Sequence, residues 1–239
     1  MTVRVTREAE PQFELYGAFE GEVLGGPVNT ISSLTFTATD DYLIVVPKNQ
    51  DQMSEPQVEL GSTPSSHIPT VGSTVTRAAD TMSIPAANLP WPTEEPLALS
   101  IKMSGTMTYA DTENYNEVVF TRWEVDTNNS IRQILSTAGG ATGAPTFRQA
   151  SSGVVDSVGS PTYYTPDINV PFNIASRHGS TFVNGAVDGT ALTANNTPTA
   201  LPYLENTDLQ LGYDFMGTIE MFLMWKSDLT DAGIAEASR

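Results

Sequence analysis

Apolar and polar residues alternate over short runs along most of the chain, and clusters of Gly, Pro, Asn and Asp interrupt the runs. A period of two with breaks at this spacing predicts an all-β protein built as an antiparallel β-sandwich. Near the start, 13–19, 34–38 and 42–46 are candidate strands. In 97–103, Leu97, Leu99, Ile101 and Met103 alternate with small or polar residues, as in a half-buried strand. Segments 117–125 and 130–137 flank Asp126-Thr127-Asn128-Asn129 and predict a hairpin, because Asp and Asn tolerate turn geometry. A second hairpin is expected over 180–190, with its turn at Asn184-Gly185, since both residues accept positive φ. The last strand is 217–226, with Ile219, Met221, Leu223 and Trp225 on one face and Phe222 and Met224 on the other. One short C-terminal helix follows over 228–238. Thr230 can cap it, Asp231 suits its positive end, and Leu229 with Ile234 has hydrophobic-staple spacing.

Between these blocks, 56–80 is rich in Pro, Ser, Thr and Gly and reads as an extended surface linker. The expected division is therefore 1–71, an N-terminal β region and linker, and 72–239, a jelly roll. Residues 1–60 hold three or four candidate strands, thin for an independent sandwich. They are expected to pack on the main domain or on neighbouring subunits. No internal repeat and no heptad pattern is present.

Composition narrows function more than fold. The 239 residues carry 11 basic against 28 acidic side chains, a formal charge of −17. Such a chain lacks the basic stripe that phosphate neutralisation needs, which argues against nucleic acid and against anionic membrane surfaces. No run approaches the about 18 apolar residues of a membrane helix, and the opening MTVRVTREAE predicts no secretory leader. Cys is absent, so thiolate chemistry and disulfides are excluded. The two histidines, His67 and His178, stand far apart, which disfavours a zinc site.

Several segments resemble a known family. Glu59-Leu60-Gly61-Ser62-Thr63-Pro64-Ser65-Ser66, Ile68-Pro69-Thr70 and Thr76-Arg77-Ala78-Ala79-Asp80 resemble a junction of phage and prophage structural proteins. There a small carbohydrate-binding-like β module leads into a laminin-G/concanavalin A-like domain. Val183-Asn184-Gly185 with Val187-Asp188-Gly189 resembles the inner hairpin of such domains. Gly217-Thr218-Ile219 through Trp225, with Leu229-Thr230-Asp231 and Ile234, resembles their terminal strand and helix. Ser33 to Val46 resembles the last strands of the preceding module, here shortened. The likeness spans roughly 55–238. It implies a concanavalin A-like jelly roll with a short C-terminal helix and a small N-terminal β region.

Four kinds of chemistry could draw on these residues. Glucanases of that fold carry Glu-x-Asp-x-x-Glu, and Glu124-Val125-Asp126-Thr127-Asn128-Asn129 matches the first two acids but has Asn129 for the third. A retaining glycosidase needs two carboxyl groups about 5–5.5 Å apart, so the expectation is no enzyme. Laminin-G-like domains bind calcium at the sandwich rim, which makes Asp126, Asp188, Asp208 and Asp214 candidate ligands and calcium the one cofactor to consider. Tyr163, Tyr164 and Trp91 are candidate sugar-stacking groups among the loop and strand-end aromatics, which also include Tyr109 and Tyr115. Loop anchoring is the plainer reading of these rings. Trp123 and Trp225 read as core. His178 lies in a predicted turn without a Gly-x-Ser-x-Gly elbow, and His67 lies in the linker, so no Ser-His-Asp triad is expected.

The family likeness implies a virion structural or adhesion protein (tail fibre, tail tip or head decoration), assembled in the host cytoplasm. Its partners would be other virion proteins, copies of itself with a trimer favoured, and a host cell-surface glycan. Neither nucleic acid nor membrane insertion is expected. Two alternatives stay open: a polysaccharide depolymerase of the same fold, and a purely structural capsid cement protein.

Overall fold

The structure is a computed structural model. It describes residues 2–7, 13–23, 31–47, 53–59, 67–73, 75, 81–93, 95–109, 117–137, 140, 142–161, 163–167 and 169–239, with backbone alone for 2–7, 22–23, 31–33, 47 and 53–55. The chain divides into two compact units, Met1–Ala79 and Asp80–Arg239.

The first unit contains β1 (Thr2–Arg7), β2 (Phe13–Gly17), β3 (Gly21–Val23), β4 (Ile31–Thr35), β5 (Leu43–Pro47) and β6 (Met53–Glu59). They form two three-stranded antiparallel sheets, ordered β4-β1-β6 and β3-β2-β5. Phe13, Leu15, Ala18 and Phe36 are buried together, with Leu34, Leu43 and Val45 packed on them. This corrects the expectation of three or four strands, because the unit has two sheets and its own small core. The start of the expected linker, residues 56–59, lies in β6. Pro56 fits there because β6 is an edge strand of its sheet, where a missing N–H need cost no ladder bond.

The second unit is an antiparallel sandwich. Its strands are β7 (Met82–Ile84), β8 (Ala98–Met107), β9 (Glu117–Asp126), β10 (Asn129–Ser136), β11 (Ala144–Ser151), β12 (Val154–Gly159), β13 (Val170–Gly179), β14 (Val183–Val187), β15 (Thr190–Ala191), β16 (Leu209–Tyr213) and β17 (Gly217–Trp225). A six-stranded sheet, β12-β11-β10-β9-β16-β7, faces a five-stranded one, β15-β14-β13-β8-β17. Two apolar clusters fill the space between them. One joins Met103, Met107, Phe172, Ile174 and Val187 to Val118, Phe120, Leu135 and Phe147. The other joins Leu99 and Ile101 to Trp123, Ile131, Leu209 and Leu211. A jelly-roll sandwich is thus the observed fold, as the alternation predicts.

A polar bridge crosses the interior. Gln133 Nε2 donates to Ser176 Oγ at 2.8 Å and to the Ile101 carbonyl at 3.3 Å, and Thr121 Oγ1 donates to Gln133 Oε1 at 3.3 Å. These bonds satisfy groups whose burial without partners would be costly, and they tie the two sheets at a fixed register.

The predicted hairpin of 117–125 and 130–137 forms as β9 and β10. The second hairpin forms with a different turn. Asn184-Gly185 lies inside β14, fully buried, and the chain reverses at Asp188-Gly189, whose φ values are +43° and +83°. The glycine at 185 serves packing instead. A Cβ there would lie 1.8 Å from Phe147 Cδ2, so the missing side chain is what lets the Phe147 ring from the opposite sheet approach β14. Asn184 donates to the Leu192 carbonyl at 3.0 Å and to Asp231 at 2.7 Å.

The face assignment of β17 is also corrected. A bulge between Ile219 and Met221 makes Glu220 a surplus residue. Ile219 therefore joins Phe222 and Met224 against the core, while Met221 and Leu223 are exposed. The helix α1 (Thr230–Ala237) lies on the five-stranded sheet, with Ile234 buried against Ala175 and Ala186. Arg177 holds its start by pairing with Asp228 and Asp231, each at 2.7 Å. Thr230 Oγ1 accepts from the Gly233 amide at 3.4 Å, but Thr230 is the first residue of the helix and Leu229 before it supplies no side-chain cap, which departs from the capping expectation. Among the described residues no helix is long and apolar enough to cross a membrane.

Two stability predictions follow from this core. Gly185→Ala should cost about 2 kcal/mol or more in chemical denaturation, because Phe147 has no room to yield. Gly140→Ala, in open space, should stay within about 0.5 kcal/mol. His178 is fully buried in β13, not in a turn; its Nε2 lies 2.9 Å from Ser176 Oγ and its Nδ1 has no partner among the described residues. Burial pushes its pKa down from 6.5 to about 3. As pH falls below about 6.5 the unfolded chain takes up this proton and the folded one does not, so stability drops until about pH 3. Denaturation at stepped pH should show wild type losing several kcal/mol relative to His178→Gln across that window.

Candidate functional site

The site begins with a phase slip in β9. Thr121 pairs with Gln133 and Val119 with Ile134, which leaves Phe120 as a surplus bulge residue. Val118 and Phe120 face the core before the slip, and Thr121 and Trp123 face it after. Arg122 and Glu124 are thereby turned to the outer face.

On that outer face, directly paired residues form a transverse row: Gln210 of β16, Arg122 of β9, Arg132 of β10, Arg148 of β11 and Ser157 of β12. Opposed residues on neighbouring strands have Cβ atoms about 4.5–5.5 Å apart, so three guanidinium stems stand side by side. Glu124 lies between two of them. Its Oε1 accepts from Arg122 Nε at 2.5 Å and its Oε2 from Arg132 Nε at 2.9 Å, and each arginine adds its Nη2. Burial alone would raise the Glu124 carboxyl. The hydrogen bonds and charges of Arg122 and Arg132 outweigh it and hold the group below its usual range. Arg122 also lies over the Tyr213 ring, 4.7 Å from its centroid.

A surface cleft of about 380 Å³ opens on this face. Arg122, Arg132 and Tyr213 line it, with Thr127, Glu117 and Asp214. It combines a planar ring, planar donors and carboxylate acceptors, the groups by which shallow sites orient polyhydroxylated ligands.

The expected stacking groups fall elsewhere. Tyr163 is 42% exposed and meets Tyr164 edge-on at 5.3 Å. Tyr164 is buried at 5%: its hydroxyl donates to Asp188 at 3.2 Å and its carbonyl accepts from Tyr109. Tyr164 is thus a loop anchor, and desolvation pushes its hydroxyl pKa up. Trp91 is half-buried against Trp123 at 5.5 Å and against Tyr203, itself 60% exposed, at 5.3 Å. Tyr164 belongs to the first core cluster and Trp91 packs on the second, so the candidates do not share one platform. Tyr115 lies outside the described residues.

The four candidate calcium ligands are dispersed. Asp126 Oδ1 accepts from the Asn128 and Asn129 amides and shapes the β9–β10 turn. Asp188 accepts from Tyr164 and from the Asn173 amide, and burial raises its pKa. Asp208 accepts from the Ala86 amide at 2.8 Å, while Asp214 sits beyond the other end of β16 at the cleft. Among the described residues no three His, Asp or Glu side chains group closely enough to hold a metal ion.

Sequence reasoning missed Arg122, Arg132, Arg148 and Tyr213. The signal was one arginine in the apolar stretch of each of three successive strands, FTRWEV, SIRQI and TFRQA.

No family model and no curated relative matches the chain. Solved structures do. The botulinum neurotoxin serotype D binding domain matches with a TM-score of 0.50 at 10% identity, over 67% of this chain and 40% of that one. A second structure, the receptor-binding domain of botulinum neurotoxin D, matches at 0.50 and 11%, over 67% and 41%. The Ruminococcus gnavus IT-sialidase CBM40 matches at 0.46 and 13%, over 60% and 84%. The chain spans less than half of the neurotoxin domains it matches. At these identities the likeness is one of fold, and the chain shares the β-sandwich of those neurotoxin binding domains.

Proposed function

We propose that the chain is a non-catalytic binding protein whose second unit takes a glycan in the cleft of the six-stranded sheet. The observation that carries this reading is the cleft itself, where Tyr213 and the fixed guanidinium planes of Arg122 and Arg132 stand beside Glu117 and Asp214. A rigid sheet presents them, so little ordering entropy opposes binding. The fold is one that neurotoxin binding domains also use. The non-catalytic part is supported by the acids of the glucanase-like stretch. Glu124 is clamped by two arginines and held ionised, and Asp126 is occupied by turn amides. Neither is placed to carry the proton that glycoside cleavage requires.

The finer reading is a subunit of a bacteriophage particle that displays this sandwich toward the host surface. The family likeness of 55–238 motivates it, and repetition on a particle would compound weak single-site affinity.

A glycan array probed with the full chain should retain a defined subset of glycans. Tyr213→Ala should weaken that retention about tenfold, in line with the worth of a stacked ring in a binding site. Turnover of any retained glycan would overturn the non-catalytic reading. An empty array would overturn glycan binding and leave a cement role. The location has its own test: peptide mass spectrometry of purified, nuclease-treated particles should find the chain at stoichiometric copy number, and its absence there refutes the virion assignment.

A further inference from the structure

We propose that the arginine row is a carboxylate-recognition subsite, so that the glycan held in the cleft is one bearing a carboxylate group. This deepens the glycan-binding reading and rests on it.

The row is costly to the fold. Like charges directly opposed across antiparallel strands destabilise a sheet, and Arg132 is opposed on both sides, by Arg122 and by Arg148. One carboxylate, Glu124, pairs with two of the three guanidinium groups, those of Arg122 and Arg132. Among the described residues Arg148 makes no ion pair. The chain has only 11 basic residues against 28 acidic ones, and three of them stand in this one line. Nothing in the packing of the sandwich needs them on the outer face. Local rules broken without a structural gain mark sites of function.

Geometry gives the ligand class. Arg122 and Arg132 each meet Glu124 through Nε and Nη2, so the Nη1 end of each planar group is turned away from that carboxylate. Glu124 fixes both planes and leaves those donors for an acceptor in the cleft. Paired planar donors match the two oxygens of a carboxylate. The opposite end of the cleft offers Glu117 and Asp214, which accept hydrogen bonds from sugar hydroxyls and repel further negative charge. A ligand with one anionic group and a run of hydroxyls fits both ends. A polyanion does not, because it would meet those acids and a chain of net charge −17.

The test uses the full chain and matched glycan pairs that differ only in the carboxylate: uronic-acid and sialylated oligosaccharides against their methyl esters. Titration calorimetry should show the free acid bound at least about tenfold more tightly than its ester. Arg148→Gln, on the strand beside the cleft, should reduce that preference with the thermal midpoint unchanged or raised. Arg132→Lys keeps the charge that faces Glu124 but loses the planar fork, and it should weaken the acid more than the ester. Equal affinity for acid and ester, or variants that weaken both alike, would overturn the carboxylate subsite while glycan binding stands. Binding that follows sulfate instead of carboxylate overturns it as well. Failure to bind any member of any pair would overturn both readings together.

Discussion

The outer face of the six-stranded sheet depends on one surplus residue. Strict alternation through β9 from Val118 and Phe120 would send Arg122 and Glu124 into the core, where unpaired charge is prohibitively costly. The bulge at Phe120 resets the phase. Val118 and Phe120 remain in one apolar cluster, Trp123 enters the other, and the charged residues between them reach the surface. A second bulge, between Asn129 and Ser130, shifts the hairpin by one so that Arg132 meets Arg122. An ideal hairpin counted from the Asp126–Asn129 pair would have set Arg132 against Trp123. The arginine row is thus a product of two local irregularities, each held in place by what the other face buries.

What holds those irregularities is close approach between sheets. Gly185 gives up a side chain so that Phe147 of β11 can reach β14, and Gln133 of β10 bonds to Ser176 of β13. Phe147 and Gln133 sit on the inner face of the same strands that carry Arg148 and Arg132 outward. A displacement of β10 or β11 would therefore break a buried contact before it moved a guanidinium. That coupling gives a surface site the positional precision of the core.

The sequence discloses the parts that depend on neighbours in the chain. The β9–β10 hairpin, the strand through Leu99, Ile101 and Met103, and the C-terminal helix with Ile234 turned inward all follow from alternation, turn chemistry and spacing. The parts that depend on distant residues were hidden. Asn184-Gly185 carries the composition of a turn, but glycine has two uses, positive φ and the missing Cβ, and only the position of Phe147 decides between them. The faces of β17 were misassigned for the same reason that Arg122 was overlooked, because a bulge adds one residue without a compositional mark. β6 passed for linker because Pro56 and its polar neighbours suit an edge strand as well as a loop. Of the candidate site, the aromatic residues attracted notice: Tyr164 is a buried loop anchor, while Tyr163 is exposed and Trp91 half-buried, away from the arginines. The arginines were legible only once the register joined three strands.

The charge of the whole chain and the charge of the row pull in opposite directions, and distance separates them. At physiological ionic strength screening acts over about 8 Å, so the net −17 governs solubility and encounter more than contact. The cleft's own charges are those of Arg122, Arg132, Glu117 and Asp214, with Glu124 beside it fixing the two guanidinium planes and Tyr213 under Arg122. Short-range, charge-assisted hydrogen bonds hold there at full strength while the acidic surface discourages polyanions from settling elsewhere. An acidic protein with one confined arginine line is selective by construction. Its acidic surface repels negative charge in general, and the proposed subsite would accept it in one geometry.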